Sequence, residues 1–134
     1  MTLFRIREAA DLLGVSDDTV RRWVEGGSLT ATQDAAGRSV VEGAELAAFA
    51  KSHAQTAGDP TAVGRSARNS FVGLVTSVVT DKVMAQVEIQ SGPHRVVSLM
   101  SSEAVRELDL RVGSLAVALV KATSVIVETP GSRS

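Results

Sequence analysis

The sequence predicts an α+β protein in which a small helical domain precedes a compact β-barrel. Apolar residues of the segment 6–13 follow the i, i+3, i+4, i+7 spacing of one buried helix face. From Ser70 onward the period changes to two, and residues 83–89 alternate apolar with polar side chains as a half-buried strand does. Between these regions, residues 52–65 are rich in Ala, Gly, Thr and Pro and have no regular period. The chain therefore divides into two domains joined by a linker.

The composition is that of a folded protein without cysteine chemistry. The 134 residues are 44% apolar and 22% charged, which fits one ordinary domain or two very small ones. The absence of Cys excludes disulfides, thiolate zinc sites and thiol nucleophiles. His53 and His94 are far apart and have no acidic neighbour at metal-ligand spacing, so we expect no metal cation. The carboxylates are scattered, and there is no histidine dyad or phosphate loop, so we expect no enzyme activity.

The N-terminal segment and the hydropathy predict a cytoplasmic protein without a membrane partner. Acidic residues interrupt the first apolar run and no cleavage signature follows it, which is not typical of a signal peptide. No stretch reaches the roughly eighteen apolar residues needed to span a bilayer. The formal net charge is −1, so the whole chain has no basic footprint for nucleic acid. The net charge therefore counts against a nucleic-acid partner.

Helix-end signals divide the first domain into three helices and a hairpin. Gly14 ends the first helix, and Ser16 is a natural N-cap for a second helix that stops at Gly26–Gly27. The turn-prone segment 34–37 predicts a short hairpin, or wing, after the second helix. A third helix is expected near residues 42–53.

The second domain has several short strands and one small helix, which is the pattern of an OB-like five-stranded β-barrel. Its expected elements are, in chain order, strands over residues 71–79, 83–89 and 95–100, a helix over 102–108, a turn at 112–113 and one or two closing strands over 115–127.

The first domain resembles the helix-turn-helix of the MerR and excisionase families. The shared elements are the A-A-x-x-L-G-V-S run, the T-V-R-R-W segment that opens the second helix, the following G-x-L and a later G-R. The resemblance covers roughly residues 3–53 and implies a winged helix-turn-helix. In those families the second helix lies in the major groove of double-stranded DNA and the wing touches the backbone. Carried over by position, the DNA-facing residues are Ser16, Asp17, Thr19, Arg21 and Arg22, with Arg38 on the wing.

Physical chemistry agrees in part with this assignment. Arg21 and Arg22 lie about 100° apart around the helix, so one can reach base edges while the other contacts phosphate. Solvated arginines on an ordinary helix are the alternative interpretation. The wing, AAGRSVVEG, lacks the consecutive basic residues usual in MerR-type wings, and residues 1–53 have six cations against eight acids. We therefore expect weak binding by a single head and useful binding only by a dimer or larger assembly.

The second domain resembles the Mop (molbindin, TOBE-type) domain. Matching elements run in order: S-A-R-N at 66–69, F-x-G at 71–73, V-x-A-x-V-E-I at 83–89, S-S-E-A-V-R-E-L-x-L at 101–110, V-G at 112–113 and V-K-A-T-S-V-I at 120–126. The resemblance implies a tetrahedral dianion, molybdate or tungstate, held at subunit interfaces without metal-cation ligands. One chain offers the S-A-R segment, and a neighbour offers the K-A segment and a hydroxyl beside the short helix. The implied binding residues are Ser66, Ala67, Arg68, Ser101, Lys121 and Ala122.

These residue types suit an oxyanion, because hydroxyls and backbone N–H groups donate from several directions and a lysine neutralises charge. Each has an ordinary structural alternative. Ser101 or Ser102 caps the short helix, whose first N–H groups also favour an anion. In the corresponding alternatives, Lys121 is a strand lysine that extends to water, and Arg68 joins an interface ion pair.

The combined prediction is a molybdate- or tungstate-responsive, DNA-binding transcriptional regulator that forms a homo-oligomer, at least a dimer. Its expected organisation is a DNA-binding domain over residues 1–53, a linker over 54–65, an oxyanion-binding domain over 66–129 and a disordered tail over 130–134. The alternative is a molbindin-like molybdate storage protein whose helix-turn-helix serves assembly only.

Overall fold

The computed structural model describes residues 2–54, 58, 60, 64 and 68–130. The chain divides into two compact units, Met1–Gln55 and Thr56–Ser134. The expected linker and the expected disordered tail lie largely outside the described residues. The domain bounds given above therefore stay predictions.

The first unit contains three helices and a small antiparallel sheet. Its elements are β1 (Leu3–Arg5), α1 (Ile6–Leu13), α2 (Asp17–Glu25), β2 (Thr32–Gln33), β3 (Ser39–Glu42) and α3 (Gly43–His53). The strand order is β1-β3-β2, so the hairpin of β2 and β3 is extended by the N-terminal strand. The three helices and the hairpin were predicted, and β1 is an additional element.

Local signals set the ends of the helices as the sequence predicts. Gly14 adopts a left-handed conformation (φ 70°) that closes α1. Ser16 caps α2, because its side chain accepts a hydrogen bond from the backbone N–H of Thr19 at 3.2 Å. The apolar sides of the elements meet in one core, to which Trp23 adds its ring against Phe49. The buried members of this core are Ala9, Ala10, Val20, Leu29, Val41, Leu46 and Phe49.

The second unit is a curled antiparallel sheet with one short helix. Its elements are β4 (Asn69–Thr80), β5 (Met84–Ser91), β6 (His94–Ser101), α4 (Ser102–Glu107) and β7 (Leu115–Val120), followed by a short 3-10 helix (Ala122–Ser124). The order β6-β5-β4-β7 makes the long β4 the central strand. Its first half pairs with β7 and its second half with β5, with a register shift between Val75 and Ser77. The buried core is Val75, Ala85, Val87, Ile89 and Val105.

Gly73 explains part of the F-x-G motif. A Cβ atom at this position would lie 2.1 Å from the backbone oxygen of Gln90, so the two strands approach too closely for any side chain. The Ser91 hydroxyl donates to the Val72 carbonyl at 2.8 Å beside this point.

The α+β class is confirmed, and two details of the second unit differ from expectation. The described residues of the second unit contain four of the five expected strands, because β7 ends at Val120 and the 3-10 helix follows at once. Ile126 and Val127, which were expected in a closing strand, are each 86% exposed. Val83 was expected on the buried face of a strand but precedes β5, where its N–H donates to the Asp81 carboxylate.

Within the described residues, none of the helices has both the length and the apolar character that a membrane span requires.

Candidate functional site

One end of the β4–β7 ladder brings two predicted binding residues together. Asn69 pairs with Val120 in the antiparallel register, and its side-chain amide donates to the Val120 carbonyl at 3.1 Å. Arg68 therefore lies opposite Lys121, just beyond the paired residues. The resemblance assigns Arg68 and Lys121 to different chains, yet the register places these two residues next to each other within one chain.

Lys121 lies at the start of the 3-10 helix and is exposed. Its carbonyl accepts a hydrogen bond from the Ser124 N–H at 2.8 Å, which fixes the backbone of the K-A segment. In the part of the chain that the structure describes, the Lys121 ammonium makes no ion pair. Arg68 is likewise exposed and unpaired among those residues. Both side chains are therefore exposed near the same end of the ladder.

Ser101 is both the last residue of β6 and the N-cap of α4. Its Oγ accepts a hydrogen bond from the Ala104 N–H at 3.0 Å, so the helix-capping alternative holds for this residue. A hydroxyl has one proton to donate besides its acceptor sites, and capping leaves that proton available. The cap also occupies one of the first-turn N–H groups that were expected to attract an anion. The Ser101 hydroxyl is therefore the group at this end of the sheet that can donate a hydrogen bond to an anion.

Ser102 holds Ser101 in place. It is 1% exposed, and its Oγ lies 2.8 Å from the Asp81 carbonyl oxygen and 2.9 Å from that of Met84. Its backbone N–H donates to the Val83 carbonyl at 2.8 Å. The start of α4 is thus fastened to the turn between β4 and β5.

Asp81 organises that turn, a role that the sequence analysis missed. Its carboxylate accepts from the N–H groups of Met84 at 2.7 Å and Val83 at 2.8 Å. These bonds, the one from Met84 foremost, lower the pKa of Asp81 below its usual value. An Asp at the boundary of two strands is a recognisable turn signal.

The ladder places Ser101 and Lys121 at opposite ends of β4. Ser101 pairs with Met84, next to the pairing of Ala85 with Thr80 at the C-terminal end of β4. Lys121 follows the partner of Asn69 at the N-terminal end. Strand pairing therefore does not assemble the predicted oxyanion ligands within one chain. Ser66 and Ala67 lie outside the described residues, and Ala122 opens the 3-10 helix beside Lys121.

In the first unit, α2 exposes both predicted DNA-contact arginines. Arg21 forms an ion pair with Asp18, with 3.6 Å between the guanidinium and carboxylate atoms. Arg22 donates to the Thr19 hydroxyl at 3.2 Å, and that hydroxyl also lies 2.9 Å from the Ser16 Oγ. The side chains of Ser16 and Thr19 therefore already serve the helix cap.

The wing turn binds its own arginine. The Arg38 Nε lies 3.1 Å from the Asp34 carboxylate, which also accepts the backbone N–H groups of Arg38 and Ala36 at 2.9 Å. The backbone bond from Arg38 is the main cause of the lowered pKa of Asp34. A lowered folded-state pKa stabilises the wing at pH values above the usual 3.8, and this stabilisation is lost as the pH falls through the lowered value.

A groove of about 770 Å³ on the first unit collects charged side chains. It brings together three predicted DNA-contact residues, Asp17, Arg21 and Arg38, whereas Ser16, Thr19 and Arg22 do not line it. The other charged residues of the groove were not predicted to be functional: Arg5, Arg7, Glu8 and Asp11. Arg5 and Arg7 are two residues apart at the start of α1. That spacing alone does not distinguish ligand-binding arginines from arginines that only face solvent.

Residues 3–54 match the helix-turn-helix domain family, and residues 65–127 match the TOBE domain family. A probable molybdenum-pterin-binding protein of Haemophilus influenzae is 48% identical over 63 residues, which are 46% of this chain and 91% of that protein. The chain belongs to the TOBE domain family. Both resemblances stated from the sequence are thereby confirmed.

Two further relatives of the TOBE unit are much longer than the matched segment. The molybdenum transport protein ModE of Herbaspirillum seropedicae is 38% identical over 65 residues, which are 48% of this chain and 24% of that protein. The solved structure of the cytoplasmic molybdate-binding protein ModG, with molybdate bound, is 36% identical with a TM-score of 0.50. That likeness covers 54% of this chain and 52% of ModG. The chain thus spans about a quarter and about half of these two relatives.

The described residues contain no group of three or more His, Cys, Asp or Glu side chains that could hold a metal ion. The expectation of an anion without a metal-cation site stays a prediction.

Proposed function

We propose that this chain is a cytoplasmic, molybdate- or tungstate-responsive DNA-binding regulator. The observation that carries the proposal is the succession, within one chain, of a helix-turn-helix match and a TOBE match whose relatives are named for molybdenum or molybdate. The helix-turn-helix unit binds double-stranded DNA, and the TOBE unit binds the anion between copies of the chain. The relatives are named for binding and transport, and the proposed role includes no catalysis.

The chemistry of the exposed groups in the TOBE unit supports a tetrahedral dianion. Arg68 and Lys121, which flank the paired Asn69 and Val120, offer positive charge, and Ser101 retains a proton to donate while it caps α4. Ser66, Ala67 and Ala122 complete the proposed site as small residues whose backbone N–H groups can approach a ligand. Hydrogen-bond donors spaced for the longer metal–oxygen bonds of molybdate cannot all reach the oxygens of sulfate. The site would therefore select between the two anions by size.

Two features support assembly of at least two copies. Ser101 and Lys121 lie at opposite ends of β4, so a site that uses both draws on different chains. The outer face of the sheet also exposes large apolar side chains that a protein normally covers. By strand register these share the face opposite the core: Leu74, Val79, Met84, Leu99, Leu115 and Leu119.

Anion binding between chains stabilises the assembly that holds the anion, by mass action. Paired helix-turn-helix units then match half-sites about one turn of DNA apart. The test is DNA selection by the purified full chain at low and moderate salt, with molybdate, with sulfate and without added anion. We expect one enriched sequence whose affinity changes with molybdate and not with sulfate. Absence of specific binding in every condition would contradict the regulator.

The second candidate function is molybdate storage. It is favoured by the Haemophilus protein, of which 91% aligns with the TOBE unit alone, and by the excess of acids over cations in residues 1–53. Storage predicts that the chain binds molybdate in a calorimetric titration and binds no DNA sequence specifically in the selection experiment.

A further inference from the structure

We propose that Arg5 and Arg7 contact the backbone phosphates of double-stranded DNA and so extend the DNA-binding surface beyond α2 and the wing. This inference rests on the proposed function, because it requires that the helix-turn-helix unit binds DNA. Neither arginine belongs to the motif positions that the helix-turn-helix resemblance assigns to DNA.

The fold brings the N-terminal strand and helix to the wing and to α2. Arg5 is the last residue of β1 and pairs with Val40 of β3, two positions beyond Arg38 in the wing. Arg7 lies in the first turn of α1 and lines the same groove as Arg21 of α2. Four arginines from β1, α1, α2 and the wing therefore surround one groove of about 770 Å³.

Arg5 and Arg7 supply half of the positive charge that lines the groove. Three acids line it, namely Glu8, Asp11 and Asp17. Arg21 and Arg38 alone would leave the groove with a net negative charge, and each already forms an ion pair with a neighbouring carboxylate. Arg5 and Arg7 bring the lining side chains to four cations against three acids. Within the described residues, neither of them forms an ion pair.

Phosphate is the expected target, because the two residues lie outside the helix that enters the major groove. In helix-turn-helix complexes the first helix crosses the DNA backbone while the second contacts base edges. Contacts to phosphate fix orientation, do not depend on base sequence, and weaken as salt rises. The inference also accounts for a wing with a single arginine, since Arg5 and Arg7 supply cations beside it.

The experiment measures salt-dependent binding of the full chain to a fluorescent mixed-sequence duplex of about 30 base pairs, which is roughly three turns. The double variant Arg5→Gln/Arg7→Gln should reduce the slope of log affinity against log salt by about 1 per arginine, and equally for unrelated duplexes. The matched control is Lys51→Gln/Arg106→Gln, which removes two exposed cations that do not line the groove. Circular dichroism and thermal unfolding verify that both variants fold.

Four outcomes would overturn the inference. An unchanged slope in Arg5→Gln/Arg7→Gln, with binding lost in Arg21→Ala/Arg22→Ala, leaves the proposed function intact and removes these two contacts. An equal slope reduction in the control variant means that total charge and not the groove is responsible. A wild-type chain that binds no duplex at any salt, with or without molybdate, refutes the inference and the proposed DNA binding together. Equal slope reduction on a single strand of the same length would identify a different nucleic-acid partner.

Discussion

The cations proposed to bind ligands differ between the two units in their ion pairs. In the helix-turn-helix unit, Arg21 and Arg38 are each held by a carboxylate three or four residues away, Asp18 and Asp34. In the TOBE unit, Arg68 and Lys121 flank the paired Asn69 and Val120 and have no ion pair among the described residues. A cation that must leave a carboxylate binds an anion more weakly than a free one. Under the proposed function, Arg21 and Arg38 must leave these carboxylates to contact DNA, whereas Lys121 and Arg68 have no such partner among the described residues.

The largest expected effect concerns DNA binding by the helix-turn-helix unit. Replacement of both α2 arginines, Arg21→Ala/Arg22→Ala, should weaken DNA binding about 30-fold or more, because each arginine contact with DNA contributes roughly 1–3 kcal/mol. Molybdate affinity should stay unchanged, since both residues lie in the other unit. Fluorescence anisotropy and calorimetry of the same preparation measure the two affinities. Loss of both would mean that these arginines support the fold.

The anion side is tested by Lys121→Ala. Loss of a hydrogen bond to a charged group costs roughly 1.5–3 kcal/mol, so molybdate should bind about 10- to 150-fold more weakly. Lys51→Ala is the matched control, because it removes an exposed lysine of the other unit. Calorimetric titration gives both values. Equal affinities in the wild type and in Lys121→Ala would exclude Lys121 from the site.

The adjacent serines separate fold stability from anion binding. Ser102→Ala removes a buried hydroxyl that lies between the carbonyls of Asp81 and Met84 and should lower the free energy of unfolding by about 1–3 kcal/mol. Ser101→Ala removes an exposed helix cap, at a cost of about 1 kcal/mol, but should weaken molybdate binding in addition. Denaturant unfolding without anion, followed by titration, measures both quantities. A larger stability loss for Ser101→Ala would reverse our assignment of the two roles.

The smallest expected effect tests whether the ion pair of Arg21 limits DNA binding. Asp18→Asn releases Arg21 from its ion pair and removes a negative charge from the outer side of α2, so DNA affinity should rise by about fivefold at most. Glu45→Gln, on α3, removes an exposed acid that does not line the groove and should change little. Anisotropy at low salt measures the difference. A decrease in affinity for Asp18→Asn would mean that the carboxylate positions Arg21 for DNA.

Much of the fold could be predicted because its signals are local. The glycine that closes α1 and the serine that caps α2 act on neighbouring backbone groups, and residues 83–89 have a strand period. β1 was missed because three residues are too short for a period and the strand exists only through pairing with β3. The closing strand was predicted too long, because apolar character at Ile126 and Val127 does not show what covers them.

The candidate sites were less predictable than the fold. Residue types and spacing indicated Ser101 and Lys121, but strand register decides that they lie at opposite ends of β4. Likewise Arg5 and Arg38 are distant in sequence, and only the pairing of β1 with β3 brings them to one groove. Neither relation appears in a motif, because each depends on contacts between distant segments.

The separation of Ser101 from Lys121 has a consequence for physiology under the proposed function. If two copies must meet before the ligand is enclosed, half-saturation depends on how much of the protein a cell makes as well as on the supply of molybdate. Synthesis of additional copies would lower the molybdate level that triggers the response. The abundance of such a sensor would therefore set its threshold, without any change in its amino acids.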